Sequence, residues 1–400
     1  MAQVLTINGG SSSIRFALYD AADVAAKLLG GKIDRIGLPG CTMTVDEMHR
    51  GGTSRTETAV DAADHRSAAV LLLDHLGAQP WFAAVRAVGH RIVHGMQHSS
   101  PERVTPALLA ELRMIIPYAP EHLPREIELI ETIGRMHPRL QQVACFDTAF
   151  HRTMPRVATV LPIPRRYASK GVQRYGFHGL SYTYLMAELG RRGDPAAARG
   201  RVILAHLGNG ASLAAVRDGR CIDTSMGFTP TSGLVMSTRS GDLDPGVMSF
   251  LALTESMDAA AFQKMVTHAS GLLGVSETSP DIRDLLAREA EDARAAEAVA
   301  LFCYQIKKWI GAFAAALGGV DTLVFAGGIG ENAAAVRTRI CEGLQYLGIR
   351  LDDARNAQGA ALVSADSGSV AVRVIRTDEE SVIAGATVRL LELNRRGPPT

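Results

Sequence analysis

The stretch "INGGSSSIRF", residues 7–16, places two glycines and three serines between the apolar runs 4–7 and 14–18. Strand-like patterning on both sides of these turn residues predicts a β-hairpin. A tight hairpin needs one or two turn residues, whereas this one has five in succession. Glycine N–H groups and serine hydroxyls bind anions, so the stretch favours a phosphate-binding hairpin. The alternative is an ordinary hairpin with good turn residues.

A second stretch, half a chain later, repeats this pattern. Residues 208–220, "GNGASLAAVRDGR", align with residues 9–21, "GGSSSIRFALYDA", as a Gly/Ser turn followed by a returning strand. A short match between glycine-rich turns also arises by chance, so coincidence is the alternative to duplication. Duplicated halves that face each other would place both turns in one cleft, and clefts between domains commonly bind small ligands.

Short β-branched runs alternate with segments of helical spacing along the chain. The alternation predicts α/β layers, and 400 residues exceed what one core usually supports, so we expect two domains. The predicted strands span residues 4–7, 84–93, 142–146, 202–207, 322–326 and 370–375. The clearest predicted helices span residues 106–116, 125–136 and 292–317.

Composition narrows the class of ligand. The formal net charge is +1 with acids and bases interspersed, which argues against a nucleic-acid or membrane-surface partner and favours a small ligand. The five cysteines form no C-x-x-C pair, which predicts neither a disulfide framework nor a thiolate metal site. The N-terminus has no secretory pattern, and the apolar stretch 309–330 is interrupted by "GGVD". We therefore expect a cytoplasmic protein without a transmembrane segment.

Two further segments have the composition of ligand-binding loops. Residues 323–337, "LVFAGGIGENAAAVR", predict a strand, a glycine loop and a helix, an arrangement that directs N–H groups at a nucleotide. Residues 223–246 form a long connection rich in Gly, Ser, Thr and Asp, and connections of that length in compact domains are usually functional or disordered. Its interspersed apolar residues argue against disorder. Arg239 in this connection is either a solvated arginine or a charge clamp for an anion.

Titratable residues also follow the predicted strands. "GHRIVHG", residues 89–95, contains two histidines, but the segment is extended and H-E-x-x-H is absent, so we reject zinc. Asp147 and His178 taken singly are typical of a helix cap and a hydrogen-bonded core histidine. "RTDEES", residues 376–381, predicts a capping box with Thr377 as the N-cap and Glu380 three residues later.

Taken together, these segments resemble the acetate kinase family, which belongs to the superfamily of acetate and sugar kinases, Hsp70 and actin. The resemblance runs in order through the following segments: "INGGSSSIRF", "GHRIVHG", "CFDTAFH", "RYGFHGLS", "HLGNGASL", "DTSMGFTP", "TRSGDLDPG", "DIRDLL", "AGGIGEN" and "TDEE". It implies a duplicated two-domain actin/Hsp70/sugar-kinase-like (ribonuclease H-like) α/β fold with an interdomain active-site cleft. The first domain would comprise residues 1–149 and 384–400, and the second, nucleotide-binding domain residues 150–383.

The resemblance also implies an activity: reversible, ATP-dependent phosphorylation of acetate to acetyl phosphate by direct in-line transfer. The metal would be Mg²⁺ or Mn²⁺, and the protein would be a homodimer. A carboxylate is already nucleophilic, so such a reaction needs positioning and charge neutralisation rather than a general base.

Individual roles follow from the residues that match the family's motifs. Arg91 and Arg239 would bind the carboxylate and the transferring phosphoryl group. Asp147 would orient the acid and assist at the metal, and His178 would stabilise the transition state. The acid's pocket would be formed by Val93, His122, Phe177 and Pro230. The metal site would include Asn8 and Glu379. The phosphate contacts would come from Asn8, Ser11, Ser13, Arg15, His206, Leu207, Gly208, Asn209 and Gly210. The adenosine site would be formed by Asp281, Ile282, Arg283, Gly328, Gly330 and Asn332.

The sequence departs from the family pattern at four positions. Arg15 stands where we expect lysine, and Met96 where a second glycine follows "HG". Glu121 replaces an apolar pocket residue and Leu123 an asparagine. A carboxylate in that pocket would cost several kcal/mol unless it were paired or turned outward.

These departures leave two alternatives. One is a kinase for propionate or another short acid. The other, from a different functional class, is a phosphohydrolase or a nucleotide-gated binding protein of the same superfamily.

Overall fold

The computed structural model describes residues 2–10, 13–49 and 52–394. Within them the strands are β1 Gln3–Gly9, β2 Ser13–Asp20, β3 Lys27–Asp34, β4 Thr42–His49, β5 Gly52–Ala59, β6 Val85–Ile92, β7 Glu102–Arg103, β8 Gln141–Phe146, β9 Arg201–Leu207, β10 Ala211–Arg217, β11 Arg220–Thr224, β12 Thr322–Ala326 and β13 Ala371–Val374. All six strands predicted above are present within a few residues of their expected bounds.

The helices are α1 His65–Gly77, α2 Pro106–Met114, α3 Leu123–Met136, α4 Arg156–Thr159, α5 Arg165–Ala168, α6 Gly179–Arg191, α7 Gly246–Glu255, α8 Ala259–His268, α9 Gly271–Ser276, α10 Ile282–Arg288, α11 Ala293–Leu317, α12 Gly327–Asn332, α13 Ala334–Cys341, α14 Asp353–Ala357 and α15 Glu379–Leu391. Short 3₁₀ turns occur at Pro80–Ala84, Ile116–Tyr118, Ala149–Thr153, Pro195–Ala197 and Gln345–Leu347.

The chain divides into two compact units. Unit 1 comprises Met1–Ala149 and Asp378–Thr400, and unit 2 comprises Phe150–Thr377. The chain returns from unit 2 to unit 1 between Thr377 and Asp378, whereas the boundary expected from the sequence lies before residue 384. The physical reason is that α15 is one continuous helix packed against β1, β2 and β6 of unit 1, so its first turn stays with the rest of the helix.

The sheet of unit 1 has the strand order β5-β4-β3-β2-β1-β6-β8-β7. β1, β6 and β8 are parallel to one another. β2 is antiparallel to β1, and β3 is antiparallel to β2. One face packs on α1 and α3 through an apolar core that includes Ile14, Phe16 and Leu72. The other face carries α15, which contacts Tyr19 through Ala384 and Val4 through Val388.

The sheet of unit 2 has the order β11-β10-β9-β12-β13. β9, β12 and β13 are parallel, and β10 and β11 return antiparallel, so this sheet repeats β3-β2-β1-β6-β8 of unit 1 strand for strand. One face packs on α6 and the other on α11. The matching order confirms the predicted duplicated α/β fold.

The repeated hairpins also correct the sequence alignment. β1 and β9 are both seven residues long and have the same succession of buried and half-buried positions, which pairs Asn8 with His206 and Gly9 with Leu207. The sequence comparison had paired Gly9 with Gly208, one residue further on. Gly9 faces Ile14 across the first turn whereas Leu207 faces Ala211 across the second, so the second turn is one residue shorter. Ile14 is therefore equivalent to Ala211, two residues before its partner in the sequence alignment, and a shift of two keeps each side chain of the returning strand on the same face.

Two local predictions were wrong. The N-cap of α15 is Asp378, whose carboxylate accepts from Ser381 N, so Thr377 and Glu380 form no capping box. The glycines after β12 form no loop, because α12 begins directly at Gly327. Gly327 has φ of +76°, and a Cβ there would lie 2.6 Å from Leu207 O, so the close approach of β9 requires glycine.

Among the described residues, no helix is both long enough and apolar enough to cross a membrane.

Candidate active site

The functional side chains of unit 1 share one face at one edge of its sheet. Alternation along β1 puts Asn8 on the same face as Val4, which packs under α15. Arg15 is the cross-strand partner of Asn8, and Arg91 lies on the same face of β6 as Gly89. A Cβ at Gly89 would lie 2.4 Å from Thr387 Oγ1 of α15, so the helix approaches too closely for a larger residue. The parallel strands β1, β6 and β8 thus end together beside the N-terminus of α15.

Arg91 and Asp147 form the centre of this set. Arg91 Nη2 and Nε lie 2.7 and 3.2 Å from Asp147 Oδ2, and Asp147 N donates to Ile92 O at 2.8 Å. The Asp147 side chain is 1% exposed and that of Arg91 15%, so the pair is poorly solvated. Burial opposes the charge of Arg91, but the carboxylates around it, above all Asp147, raise its pKa. Arg91 is therefore a permanent cation with a fixed orientation.

Glu379 and Asn8 extend the cluster. Asn8 Nδ2 donates to Glu379 Oε2 at 3.2 Å, and Asn8 Oδ1 lies 3.5 Å from Arg91 Nη1. Glu379 is the first residue of α15. Burial, and then the charge of Asp147, raise the pKa of Glu379 to about 7, although Arg91 partly opposes this. The cluster has more acids than bases, which suits an added cation.

A third carboxyl group, that of Glu126, lies beside Arg91 and was not predicted from the sequence. Its two oxygens accept from Val93 N at 3.0 and 3.2 Å, and the side chain is buried. Burial raises the pKa of Glu126 to about 8, with Arg91 and the Val93 N–H opposing the shift. A signal existed in the sequence, because Glu126 occupies a core position in the helical period of Leu123, Ile127 and Ile130.

The first hairpin contributes its second strand to the same face. Ser11 lies outside the described residues. The backbone oxygen of Ser13 accepts from Gly10 N at 2.7 Å and closes the turn. Arg15 is exposed and close enough to Glu379 to lower the pKa of that carboxyl group against the effect of burial. His65 Nε2 lies 2.9 Å from Gly10 O, which ties the turn to the start of α1.

The predicted acid-pocket residues of unit 1 lie directly after β6 and at the start of α3. Val93 is fully buried, and His122 is a half-buried residue at the start of α3. Leu123 is completely buried as the first residue of that helix, whereas Glu121 is half-buried. Met96 has φ of +47°, a left-handed conformation that favours glycine, and this explains why a glycine is expected there.

In unit 2, the equivalent edge carries histidines and hydroxyl groups. His206 and Ser212 are cross-strand partners on β9 and β10, and the ring of His178 stacks on that of His206 with centroids 4.3 Å apart. His178 precedes α6 with φ of +59° and makes no side-chain cap bond to the helix. Its Nδ1 lies 2.8 Å from Ser212 Oγ instead. His206 Nδ1 lies 2.8 Å from Ser181 Oγ.

Arg239 meets His178 at the second glycine turn. A Cβ at Gly210 would lie 3.1 Å from His178 Nε2 and 3.5 Å from Arg239 Nη1. The Arg239 guanidinium donates to Pro230 O at 3.1 Å. Ser237 N donates to Asn209 O at 3.2 Å, so the long connection is ordered against the turn. The glycine at 210 thus leaves room where an imidazole and a guanidinium converge.

The remaining predicted pocket residues of unit 2 lie on either side of this connection. Phe177 is buried, and its carbonyl oxygen lies 2.9 Å from His151 Nε2. Pro230 is half-buried and accepts from Arg239 as described. The predicted Leu207 is buried at the end of β9, and Gly208 N donates to Gly210 O at 3.0 Å to close the turn.

The predicted adenosine residues occupy the starts of two short helices. Asp281 is the N-cap of α10, accepts from Arg283 N at 2.9 Å and pairs with the exposed Arg283 side chain, while Ile282 is buried. In α12, a Cβ at Gly328 would meet nothing within 4 Å, and Asn332 Nδ2 donates to Gly328 O.

A buried arginine that the sequence analysis missed holds α12 in place. Arg337 Nη1 donates to Gly330 O at 2.9 Å and to Glu331 O at 3.0 Å. Its Nε and Nη2 donate to the side chain and backbone of Asn356, both at 2.7 Å. Burial lowers the pKa of Arg337. The guanidinium therefore satisfies the carbonyl groups at the end of α12.

The described residues contain no group of three or more His, Cys, Asp or Glu side chains arranged to hold a metal ion. The acid-rich cluster with Asn8 and Glu379 is compatible with Mg²⁺, which keeps several water ligands and takes only one or two from the protein.

Comparisons with known proteins show the family to which the chain belongs. A family model described as the acetokinase family matches residues 3–385. An acetate kinase of Rhodopseudomonas palustris (strain TIE-1) is 43% identical over 400 residues, covering 98% of this chain and 99% of the relative. A propionate kinase of Citrobacter rodentium is 42% identical, covering 97% and 96%. The crystal structure of Porphyromonas gingivalis acetate kinase superposes with a TM-score of 0.87 at 37% identity and covers 98% of this chain and 100% of that one.

Proposed function

Because this chain belongs to the acetokinase family, we propose that it transfers the γ-phosphoryl group of ATP to acetate, forming acetyl phosphate and ADP reversibly. The observation that carries the proposal is the poorly solvated cluster of the half-buried Arg91, Asn8 and Glu379 around the buried Asp147 at one sheet edge. This cluster combines a fixed cation for a carboxylate with an acid-rich site for a metal. The 43% identical relative with the printed name acetate kinase supports acetate as the acceptor.

Arg91 binds the acid in this proposal. Two of its nitrogens are committed to Asp147 Oδ2, whereas Nη1 has only the long 3.5 Å contact to Asn8 Oδ1 among the described residues. The N–H groups of Nη1 therefore supply the donors that hold the substrate carboxylate. Asp147 orients the guanidinium and keeps it charged.

His178 and Arg239 act on the phosphoryl group. His178 Nε2 and Arg239 Nη1 converge at Gly210, where they stabilise the charge on the three phosphoryl oxygens in a loose transition state. The turn Gly208–Gly210, with His206 beneath it, contacts the phosphates. The first hairpin, with Ser11, Ser13 and Arg15, contributes further phosphate contacts.

Asn8 and Glu379 would hold Mg²⁺, with Asp147 assisting. The residues fit this ion because they combine amide and carboxylate oxygens in a half-buried cluster with more acids than bases. When bound, Mg²⁺ neutralises charge on the β- and γ-phosphates. Mn²⁺ prefers the same class of oxygen ligands.

The adenosine is bound by two segments of unit 2. Asp281, Ile282 and Arg283 at the start of α10 form one, and Gly328, Gly330 and Asn332 in α12 form the other. The open space at Gly328 supports close approach of a ligand to the backbone.

Substrate choice tests the proposal directly. The purified protein is incubated with ATP, Mg²⁺ and acetate, propionate or butyrate, and the acyl phosphate is trapped as its hydroxamate. We expect the highest kcat/KM with acetate, because the 43% identical relative carries the printed name acetate kinase. Turnover of another acid without turnover of acetate would overturn the acetate assignment. ATP hydrolysis that no acid stimulates would indicate the phosphohydrolase class.

Glu121 allows the pocket to be examined further. It is half-buried in the loop before α3, where the family has an apolar residue. If its side chain reaches the acid, Glu121→Leu shifts the kcat/KM ratio toward acetate. Glu121→Gln is the matched control, because it removes the charge and keeps the size.

Helix α7 supports a homodimer. Its sequence, "GVMSFLALTE", is apolar, yet none of its residues is buried, and Phe250 and Leu253 are 63% and 88% exposed. An apolar helix of this kind is typical of an interface between subunits. Sedimentation equilibrium of the wild-type protein should give twice the chain mass, and Phe250→Glu with Leu253→Glu should give the monomer. A monomeric wild-type protein would contradict this part of the proposal.

A cytoplasmic location completes the proposal. All five cysteines are free thiols in the structure, which suits a reducing compartment. Cell fractionation measures this directly.

A further inference from the structure

His178 is the first member of a buried hydrogen-bonded chain. Its Nδ1 lies 2.8 Å from Ser212 Oγ, and Ser212 Oγ lies 2.5 Å from the hydroxyl of Tyr182. Ser212 and Tyr182 are both completely buried. The sequence analysis assigned no role to either residue.

The fold brings the three groups together from two elements. Tyr182 lies one helical turn after His178, and its backbone N donates to His178 O at 3.0 Å. Ser212 comes from β10, on the sheet face that packs against α6. The hydroxyl of Ser212 therefore sits between a phenol and an imidazole.

The chemistry of these groups decides the direction of the hydrogen bonds. A serine hydroxyl has one proton, so Ser212 donates to one neighbour and accepts from the other. A phenol is a stronger acid than an alcohol, which favours Tyr182 as the donor to Ser212. Ser212 then donates to Nδ1 of His178. A neutral imidazole that accepts at Nδ1 carries its proton on Nε2.

Nε2 is the atom that faces the second glycine turn. It lies 3.1 Å from the position that a Cβ at Gly210 would occupy, beside Arg239. A proton on Nε2 makes His178 a hydrogen-bond donor at the place where the proposed function puts the phosphoryl group. If the hydrogen bonds from Tyr182 to His178 ran in the opposite direction, Nε2 of His178 would carry a lone pair, which repels phosphoryl oxygens.

We propose that Ser212 and Tyr182 are positioning residues that hold His178 as the neutral Nε2–H tautomer, directed at the transferring phosphoryl group. The proposal rests on the proposed function for the role of His178. The tautomer itself can be measured without any activity.

The primary test is ¹⁵N NMR of the histidine side chains in the full-length protein at pH 7.5, where the chemical shifts distinguish protonated from unprotonated ring nitrogens. The chain has twelve histidines, and the spectrum of His178→Gln identifies the signals of His178. We expect Nε2 protonated and Nδ1 unprotonated in the wild-type protein, and a mixture of tautomers in Tyr182→Phe. A proton on Nδ1 in the wild-type protein would overturn the proposal.

Kinetics provide the second test. Tyr182→Phe and Ser212→Ala should each lower kcat for acyl phosphate formation by about tenfold, the value of one hydrogen bond, and leave KM for ATP within about twofold. Tyr184→Phe is the matched control on the same helix, where Tyr184 stacks with Arg191, and it should retain full kcat. Unchanged kcat in both Tyr182→Phe and Ser212→Ala would overturn the proposal. If the wild-type protein has no acid kinase activity, the proposed function fails, while the NMR result still decides the tautomer.

Discussion

The two units place different functional groups at equivalent positions of their two sheets. In unit 1, the second-last residue of the central strand is Asn8, and the helix over that face begins at Glu379. In unit 2, the equivalent strand residue is His206, and the covering helix α6 begins after His178, whose ring stacks on it. Each unit thus joins a strand end to the start of a helix.

The difference lies in charge. Unit 1 gathers Arg91 and three buried or partly buried carboxyl groups, those of Asp147, Glu379 and Glu126. Unit 2 gathers two imidazoles with Ser181, Ser212 and other hydroxyl groups, together with Arg239. A duplicated framework therefore supplies a charged half that suits a carboxylate and a metal, and a largely neutral half that suits a phosphoryl group. The backbone was retained and the side chains at equivalent positions diverged.

The largest expected effect tests the charged half. Arg91→Ala should lower kcat/KM for acetate by about 10³- to 10⁵-fold, because it removes the cation that would hold the acid and takes the Arg91 ion pair from the buried Asp147 carboxylate. Steady-state kinetics measure the loss, and circular dichroism controls for folding. Arg91→Lys keeps the charge without the fork of donors and should recover only part of the activity. Retention of full activity in Arg91→Ala would remove unit 1 from acid binding.

The second prediction concerns the buried arginine of unit 2, which has carbonyl and amide partners instead of carboxylates. Arg337→Ala should raise KM for ATP by about tenfold, because the hydrogen bonds that hold Gly330 and Glu331 of α12 are lost. It should also lower the melting temperature. Arg339 lies on α13, as Arg337 does, and pairs with Glu289 near the surface. Arg339→Ala is therefore the control and should leave KM for ATP unchanged.

The third prediction is a pH dependence of stability in the charged half. The pKa of Glu126 is raised to about 8 in the fold, whereas a glutamate in the unfolded chain has a pKa near 4.5. Between these two values the folded state binds more protons than the unfolded state, so this group's contribution to stability falls as pH rises from about 4.5 to about 8.

Glu126→Gln removes that dependence and keeps an acceptor for Val93 N. Its melting temperature should exceed that of the wild-type protein at pH 8.5 and match it at pH 5. Glu126→Ala, which also loses the acceptor, should be less stable than Glu126→Gln at both pH values. A pH-independent difference between Glu126→Gln and the wild-type protein would show that Glu126 does not titrate in this range.

The smallest expected effect concerns the backbone beside the charged half. Met96 adopts a left-handed conformation, which costs about 1 kcal/mol for a residue with a Cβ. Met96→Gly should therefore be more stable than Met96→Ala by about that amount, as measured by denaturant unfolding. Both variants lose the methionine side chain, so their difference isolates the backbone. Equal stability of Met96→Gly and Met96→Ala would show that the backbone at this position is not strained.

Much of the fold was predictable from local pattern. The strands and the helices α3 and α11 follow from hydrophobic period, and the two hairpins are recognisable by their turns. The alignment of the hairpins was wrong by one residue in the first strand and by two in the returning strand, because glycine-rich turns align on composition whereas the strands align on burial. The capping box at Thr377 was wrong because Asp378, one residue later, is an equally good N-cap and is the one that the helix uses.

Motifs led to most of the residues predicted for the site, and the roles of these residues stay predictions. Arg91, Asp147, His178 and Arg239 follow from the family resemblance. Glu126, Ser212, Tyr182 and Arg337 were missed because each is an ordinary residue type within a strand or helix. Of these, only Glu126 left a signal, a charge at a core position of an amphipathic helix.

The sequence by itself determined the order of the motifs, the duplication and the family, since these depend on residue identity and on short-range spacing. The tertiary structure alone decided that the start of α15 stands beside Asn8, that Glu126 lies under Arg91 and Val93, and that Ser212 joins Tyr182 to His178. These facts depend on which faces pack together and how much water they exclude. Protonation and hydrogen-bond direction respond to that environment, and residues far apart in the chain create it.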